Sequence, residues 1–174
     1  MSYVRGSLIA DDTAILSADE RFMTMAIELA QAAWRLGDVP VGAVLTDAQG
    51  KLIAGAFNRK EALQDPTAHA ELTVIVKGAE ACGSWRLSDC VLYVTKEPCV
   101  MCAGAILACR IKRLVYGCND PKGGAVTSLY TLLNDNRLNH QVEVTSGVLQ
   151  QQCAELLRGF FVQLRRSTAS KSRT

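Results

Sequence analysis

Two short stretches of the chain carry side chains that can bind a metal ion and move protons. The first, DPTAHAE, places His69 two positions before Glu71, just after a proline-led turn. The second, PCVMC, separates Cys99 and Cys102 by three positions, which puts both sulfurs on one side of a helical turn. Alone, such a cysteine pair could also be a redox pair or two buried helix residues. Together with His69, it supplies the nitrogen and two sulfurs that bind zinc and leave one position open, as in catalytic zinc sites.

Glu71 is the candidate proton carrier of this site. Zinc lowers the pKa of bound water from about 16 to about 7, so hydroxide becomes available at neutral pH if a nearby group takes the proton. In the middle of a helix, His69 and Glu71 would point about 200° apart. At a first turn, however, the histidine can reach the metal while the carboxylate faces the water. The pattern therefore predicts a hydrolytic centre.

The elements that must position these residues follow from hydrophobic periodicity, capping and turn signals. Ser17–Glu20 is a capping box, and Gly37 is suited to end the helix that it starts. The central LTVIV of the fourth element is β-branched, but its length and flanks favour helix. The predicted elements are helix 17–36, strands 41–45 and 52–57, a loop at 58–66, helix 67–81, strand 91–95, helix 99–109, strand 114–117, a short helix at 128–133, strand 142–145 and helix 149–166.

This order of elements predicts an α/β fold. We expect a three-layer α-β-α sandwich, with a central five-stranded mixed sheet and helices on both faces. The chain has 174 residues, of which 49% are hydrophobic and 21% charged, as in one folded domain. We predict a loosely ordered extension at 1–16, a single domain at 17–166 and a basic tail at 167–174.

The composition also bears on location and partners. No apolar run approaches the roughly 18 residues that cross a bilayer, and no secretory signal is recognisable, so we expect neither membrane association nor export. Seven cysteines, an odd number, argue against a disulfide framework and for the cytoplasm. Residues 110–174 carry ten Lys and Arg against four Asp and Glu, which indicates a polyanionic partner or simply a solvated face with a basic tail.

The two reactive stretches combine into H-x-E…P-C-x-x-C, the signature of zinc nucleobase deaminases. Within that superfamily, residues 18–166 resemble the bacterial tRNA-specific adenosine deaminases. The segments that carry the resemblance are VPVGAVL (39–45), FNR (57–59), DPTAHAE (65–71), LYVTKEPCVMCAGAI (92–106) and GFF (159–161). The resemblance implies a cytidine deaminase-like fold, one zinc ion per subunit, a homodimer, and hydrolysis of adenosine to inosine at the wobble position of tRNA, most simply tRNA-Arg with an ACG anticodon.

The resemblance also implies roles for individual residues. His69, Cys99 and Cys102 would hold zinc and Glu71 would shuttle the proton, while Asn58 would bind the extruded base. The residues expected to bind the substrate or the anticodon stem-loop are Asn58, Arg59, Asp120, Lys122, Phe160, Phe161, Arg165 and Arg166. Phe160 and Phe161 could equally be residues of the core or of a dimer interface. Single-stranded RNA suits such a surface, because its bases stack on aromatic rings and its phosphates meet cations. The sequence departs from the family pattern at Lys60, Lys96 and Pro121.

Two other interpretations use the same motif. One is a zinc-dependent deaminase of a free base or nucleoside such as guanine, cytosine or a pterin-like base, which would leave the basic part of the chain without a polyanion. The other is a non-enzymatic zinc module that binds RNA, in which Cys109 or Cys118 closes the site and Glu71 is idle. His140 is interpreted as a core or surface residue. We expect the remaining cysteines to be small apolar core residues: Cys82, Cys90, Cys109, Cys118 and Cys153.

Overall fold

The computed structural model of the protein describes residues 16–171. The elements in chain order are helix α1 (Ala18–Arg35), strands β1 (Gly42–Thr46) and β2 (Leu52–Phe57), helices α2 (Lys60–Leu63) and α3 (Ala70–Cys82), strand β3 (Val91–Lys96), helix α4 (Val100–Ala108), strand β4 (Arg113–Cys118), a 3-10 turn (Leu132–Asn134), strand β5 (Glu143–Ser146) and helix α5 (Gln150–Lys171). Apart from Leu16, the predicted N-terminal extension lies outside the described residues, as do positions 172–174 of the predicted tail.

The five strands form one mixed sheet in the order β2-β1-β3-β4-β5. Strand β1 is antiparallel to β2 and to β3, whereas β3, β4 and β5 run parallel to one another. Side chains alternate across the sheet, as the two-residue period of a strand requires. On β4, for example, Leu114 and Tyr116 enter the core on one face and Val115 enters the core on the other.

Helices cover both faces of the sheet. On one face lie α3 and α4, which bury Val74 and Ile106 in the larger core. On the other lie α1 and α5, which bury Phe22 and Cys153 in the second core together with Tyr93 of β3. The predicted three-layer α-β-α sandwich is therefore confirmed. No helix within residues 16–171 has the length and apolar character needed to span a membrane.

Local signals in the sequence account for the ends of the first and third helices. The capping box forms as predicted: the Ser17 hydroxyl accepts from the backbone N–H of Glu20 at 3.2 Å, and Glu20 accepts from the backbone N–H of Ser17 at 2.8 Å. Helix α3 contains the β-branched stretch and is helical as expected, because Val74 and Ile75 pack into the core against the sheet. It ends at Gly83, whose φ of 62° favours glycine.

Three local predictions were wrong. The loop predicted at 58–66 contains helix α2, and the segment predicted as a helix at 128–133 is instead irregular up to the 3-10 turn. In both places a buried carboxylate accepts hydrogen bonds from backbone N–H groups: Asp38 in the first and Glu97 in the second. Helix α5 does not end at residue 166 but continues to Lys171, since this stretch contains neither glycine nor proline.

The cysteines and His140 mostly follow expectation. Cys90, Cys109, Cys118 and Cys153 are buried, whereas Cys82 is exposed at the end of α3 and was wrongly assigned to the core. His140 is half-buried, and its Nε2 lies 2.8 Å from the carbonyl oxygen of Ile111, consistent with a structural role.

Helix α1 approaches the sheet most closely at Gly42. A Cβ atom at this position would overlap the backbone of Ala26 and Ala30 in α1. Glycine is therefore required here for α1 to pack directly on β1.

We expect Gly42→Ala to lower the free energy of unfolding by about 1–3 kcal/mol, because the added methyl group forces α1 away from the sheet. Gly104→Ala is the matched control, since Gly104 is exposed in α4 and its Cβ would have no atom within 4 Å. This control is expected to be neutral or stabilising by up to about 1 kcal/mol. Urea denaturation measures both, and equal stability of the two variants would contradict the packing argument.

Candidate active site

Two helices begin beside each other and present the reactive side chains. His69 is the N-cap of α3 and Cys99 is the N-cap of α4, and both have an extended backbone, with ψ of 150° and 176°. Cys102 lies within the first turn of α4. Because His69 precedes the first helical residue, the 200° separation of a regular helix does not apply, and His69 and Glu71 line one cleft.

The distances between ligand atoms fit a tetrahedral metal site. His69 Nδ1 lies 3.5 Å from Cys102 Sγ and 3.8 Å from Cys99 Sγ, and the three atoms lie within 4.8 Å of one another. Zinc bonds of about 2.3 Å to sulfur and about 2.0–2.1 Å to nitrogen, in a tetrahedron, place nitrogen and sulfur about 3.6 Å apart. The spacing and the donor set therefore suit zinc.

No fourth His, Cys, Asp or Glu of the described part of the chain joins this group. Cys109 Sγ donates to the carbonyl of Ile106, and Cys118 Sγ donates to the carbonyl of Thr95, both at 3.5 Å. Neither cysteine closes the site, which argues against the non-enzymatic zinc module. A metal held by His69, Cys99 and Cys102 would keep an open coordination position.

The two thiols differ in their readiness to bind a metal. The hydrogen bond from Cys102 is the main cause that lowers the pKa of Cys99 to about 3, with burial opposing and His69 assisting. The same hydrogen bond and burial raise the pKa of Cys102. The bond to Cys99 likewise raises the pKa of His69, although burial opposes it. Cys99 is therefore predisposed to the thiolate form, which is the form that binds metals, whereas Cys102 must lose its proton when a metal binds.

Glu71 has the environment expected of a proton carrier. Only 4% of its surface is exposed, and this burial is the main reason that its pKa is raised. The Cys99 thiolate also raises the pKa, while the charge of His69 and hydrogen bonds from its own backbone and from Cys102 lower it. A carboxyl group whose pKa is shifted towards neutrality can accept and return a proton at physiological pH.

The cleft is small. Its volume is about 170 Å³, and the residues lining it include His69, Glu71, Cys99, Asn58, Val39 and Val41. Pockets for drug-sized ligands span about 300–1,000 Å³. The cleft therefore suits one planar ring system, and the remainder of a larger substrate must lie outside it.

Asn58 is held in the cleft by a carboxylate that sequence reasoning missed. Asp38, which is fully buried, accepts from Asn58 Nδ2 at 3.2 Å and from the backbone N–H groups of Glu61 and Ala62 at 2.9 and 3.0 Å. Asp38 thus caps α2 and fixes the Asn58 amide. Among the hydrogen bonds of residues 16–171, the Asn58 side chain uses only its Nδ2, so its Oδ1 is available to a substrate.

Glu97 is the second missed carboxylate, and it organises the loop after β4. It is 2% exposed and accepts from the backbone N–H groups of Asp120, Val126, Thr127 and Ser128 at 2.7–3.1 Å, and from the Ser128 hydroxyl. Burial raises the pKa of Glu97, but these hydrogen bonds outweigh it and lower the pKa to about 2. Glu97 therefore holds the loop as a carboxylate.

A second, larger groove of about 640 Å³ lies between this loop and α5. Of the predicted RNA-binding residues, Asp120, Lys122, Phe161 and Arg165 line it, together with Arg158, which the sequence analysis did not single out. Arg158 could have been found, because it lies one turn before Phe161 and two before Arg165 on the same helical face.

Other predicted RNA contacts lie elsewhere. Phe160 is a core residue: it is 6% exposed and stacks edge-on against Trp34, with ring centroids 5.9 Å apart. Its predicted role in RNA contact is therefore not supported. Arg59 and Arg166 are exposed but line neither the cleft nor the groove.

Comparisons with known proteins agree with this chemistry. Residues 17–165 match the family model of the MafB19-like deaminases. The tRNA-specific adenosine deaminase of Bacillus subtilis is 47% identical over 87% of this chain and 93% of its own length. A structure solved in work on A-to-I editing by tRNA:A34 deaminases superposes with a TM-score of 0.76, at 46% identity, over 79% of this chain and 99% of that one. A guanine deaminase from Bacillus subtilis is 40% identical, with a TM-score of 0.54, but over only 57% of this chain and 64% of its own.

We expect Glu97→Gln to lower the free energy of unfolding by about 2–4 kcal/mol at neutral pH, because an amide donor would face backbone donors. The pKa of Glu97 falls from 4.5 to about 2 on folding. Its charged form therefore stabilises the fold above about pH 4.5, and this contribution is lost as the pH falls towards 2.

Urea denaturation of both proteins across this pH range should show their difference shrinking as the pH falls. Glu28→Gln, an exposed change on α1, is the control and should be neutral. A difference that stays constant between pH 7 and pH 3 would argue against a charged Glu97 as the loop organiser.

Proposed function

Because this chain belongs to the tRNA-specific adenosine deaminases, we propose that it hydrolyses adenosine to inosine at the wobble position of tRNA, most simply tRNA-Arg with an ACG anticodon. The single observation that carries this proposal is an open His-Cys-Cys group beside a buried carboxylate, in a cleft that suits one base. The names of its relatives support a tRNA adenosine as the substrate, and the site offers a chemistry that fits it.

We propose one zinc ion per chain, held by His69, Cys99 and Cys102. The fit rests on the donor set and on ligand-atom distances close to those of a zinc tetrahedron. When bound, zinc supplies a nucleophile from water at neutral pH. The reaction consumes one water and releases one ammonia for each adenosine.

Glu71 moves the proton in this scheme. Its carboxylate takes a proton from water and returns it to the departing amino group, which its raised pKa favours. Asn58 orients the base through Oδ1, while Asp38 keeps the amide from turning. Val39 and Val41 line the cleft beside them and limit the access of other water.

The groove supports RNA rather than a free base as the substrate. Lys122, Arg158 and Arg165 offer cations to phosphates, and Phe161, which is 40% exposed, offers a ring for stacking. We propose that Asp120 also lies along the bound strand and that Arg59 and Arg166 contact it at the edges of this surface. The deaminase domain is assigned to residues 17–166, in keeping with the range that matches the family model.

We further propose that the enzyme is a cytoplasmic homodimer. The cytoplasm suits its free thiols and its tRNA substrate. An apolar groove of about 580 Å³ runs along α3 and α4 and is lined by Leu63, Leu72, Val76 and Ala105. Leu63 and Val76 are more than half exposed there, as is typical of a surface covered by a partner.

The function is tested on a synthetic anticodon stem-loop of tRNA-Arg. We expect the zinc-loaded protein to convert its wobble adenosine to inosine, read by sequencing as guanosine, and to leave free adenosine, guanine and cytosine unchanged. If the protein converts a free base or nucleoside but does not convert the stem-loop, the proposal is refuted in favour of a small-molecule deaminase.

Glu71→Gln is the matched variant for this assay. It removes the proton carrier but no metal ligand, so we expect wild-type zinc content and a rate lower by roughly four orders of magnitude. Full activity of this variant would show that Glu71 is idle.

The dimer is tested by mass. Sedimentation should give wild-type particles of twice the 18.8 kDa chain, whereas Val76→Glu should give monomers, because it places a charge on the apolar surface. Leu138→Glu is the control: Leu138 is also exposed but lies away from that surface. A Val76→Glu variant that remains dimeric would place the interface elsewhere.

A further inference from the structure

Lys96 occupies the junction between the catalytic cleft and the groove. It is the last residue of β3, and its side chain lines the cleft together with Glu71 and Cys99. The same side chain lines the groove together with Phe161 and Arg165. The two cavities are therefore adjacent, and a strand that lies in the groove with one base in the cleft must pass Lys96.

The ammonium group at this junction is held by a neighbouring carboxylate. Lys96 Nζ lies 2.6 Å from Asp120 Oδ2, and the two side chains are 30% and 14% exposed. Asp120 is fixed in turn, because its backbone N–H donates to Glu97 and its Oδ1 accepts from the backbone N–H of Lys122. Asp120 thus sets the position of a flexible lysine that water can still reach.

The surroundings of the pair favour a polyanion. Lys122, Arg158 and Arg165 line the same groove, and none of them forms an ion pair with another residue in the range 16–171. The groove therefore holds four cationic side chains against the single carboxylate of Asp120. A phosphate that entered it could displace Asp120 as the partner of Lys96, because the other three cations of the groove are there to balance the freed carboxylate.

We propose that Lys96 binds the RNA phosphate adjacent to the nucleotide whose base enters the cleft, and that Asp120 holds Lys96 at the junction until this phosphate displaces it. This inference rests on the proposed function, because it requires an RNA substrate. It assigns to Lys96 a role in aligning the strand at the reacting base, not in the chemical step.

The test measures affinity for the anticodon stem-loop over a series of salt concentrations, with the full-length zinc-loaded protein in a Glu71→Gln background that prevents turnover. Each phosphate contact to single-stranded nucleic acid contributes about 0.7 to the slope of log affinity against log salt. We expect Lys96→Met to reduce that slope by about 0.7 and to raise Kd roughly three- to tenfold.

Two further variants separate phosphate binding from a structural role. Lys112→Met removes the same charge at the opposite end of the parallel strands and should leave the slope unchanged. Asp120→Asn frees Lys96 and removes a negative charge from the groove, so it should lower Kd and keep the slope.

Two results would overturn the inference. One is a wild-type slope and Kd in Lys96→Met while the wild-type enzyme converts the stem-loop, which leaves the proposed function standing. The other is an equal loss of affinity in Lys96→Met, in Asp120→Asn and in the double variant, with no change of slope. This would mean that the pair only shapes the loop. A wild-type protein that neither binds nor converts the stem-loop would overturn the proposed function and this inference together.

Discussion

The site depends on two helices that start side by side above the sheet with metal ligands at their first positions. His69 and Cys99 are the N-cap residues of α3 and α4, and neither side chain forms a capping hydrogen bond. A serine or aspartate at such a position would stabilise each helix by about 1 kcal/mol. Both helices lack this stabilisation. The two N-cap positions instead carry the imidazole and the sulfur that converge on the candidate metal site. The conflict with local capping rules is typical of a functional site.

Three buried carboxylates near the cleft differ in role because their hydrogen-bond partners differ. Glu97 accepts from four backbone N–H groups and a hydroxyl, and its pKa is about 2. Asp38 accepts from two backbone N–H groups and from the Asn58 amide, and so ties α2 to the cleft. Glu71 is about as buried, but its hydrogen bonds and the charge of His69 do not offset the burial of its carboxylate, so its pKa is raised. The first two hold the structure rigid, whereas Glu71 is free to exchange a proton.

The helices, strands and site residues that depend on local signals could be predicted from the sequence. Periodicity and capping located α1, β1, β3 and α5, and the spacing of two short motifs identified the groups that converge on the cleft. What it missed depends on contacts between distant residues. Asp38 reaches residues 20 to 24 positions away, and Glu97 reaches residues 23 to 31 positions away. Nothing in the sequence around either carboxylate indicates those partners. Phe160 is a different kind of error. Its place beside Phe161 on the C-terminal helix suggested RNA contact, but its ring packs against Trp34 in the core.

The same long-range contacts connect the groove to the metal ligands. Glu97 lies two residues before Cys99 and holds the loop after β4, and Gly124 of that loop bridges to Cys99 itself. At Gly124 even a methyl group would collide with the Glu97 carboxylate. The loop wall of the groove is therefore fixed relative to Cys99 by backbone contacts rather than by long flexible side chains. Contacts made by RNA far from the reacting atom can then align the base, and it is such alignment that converts binding free energy into rate.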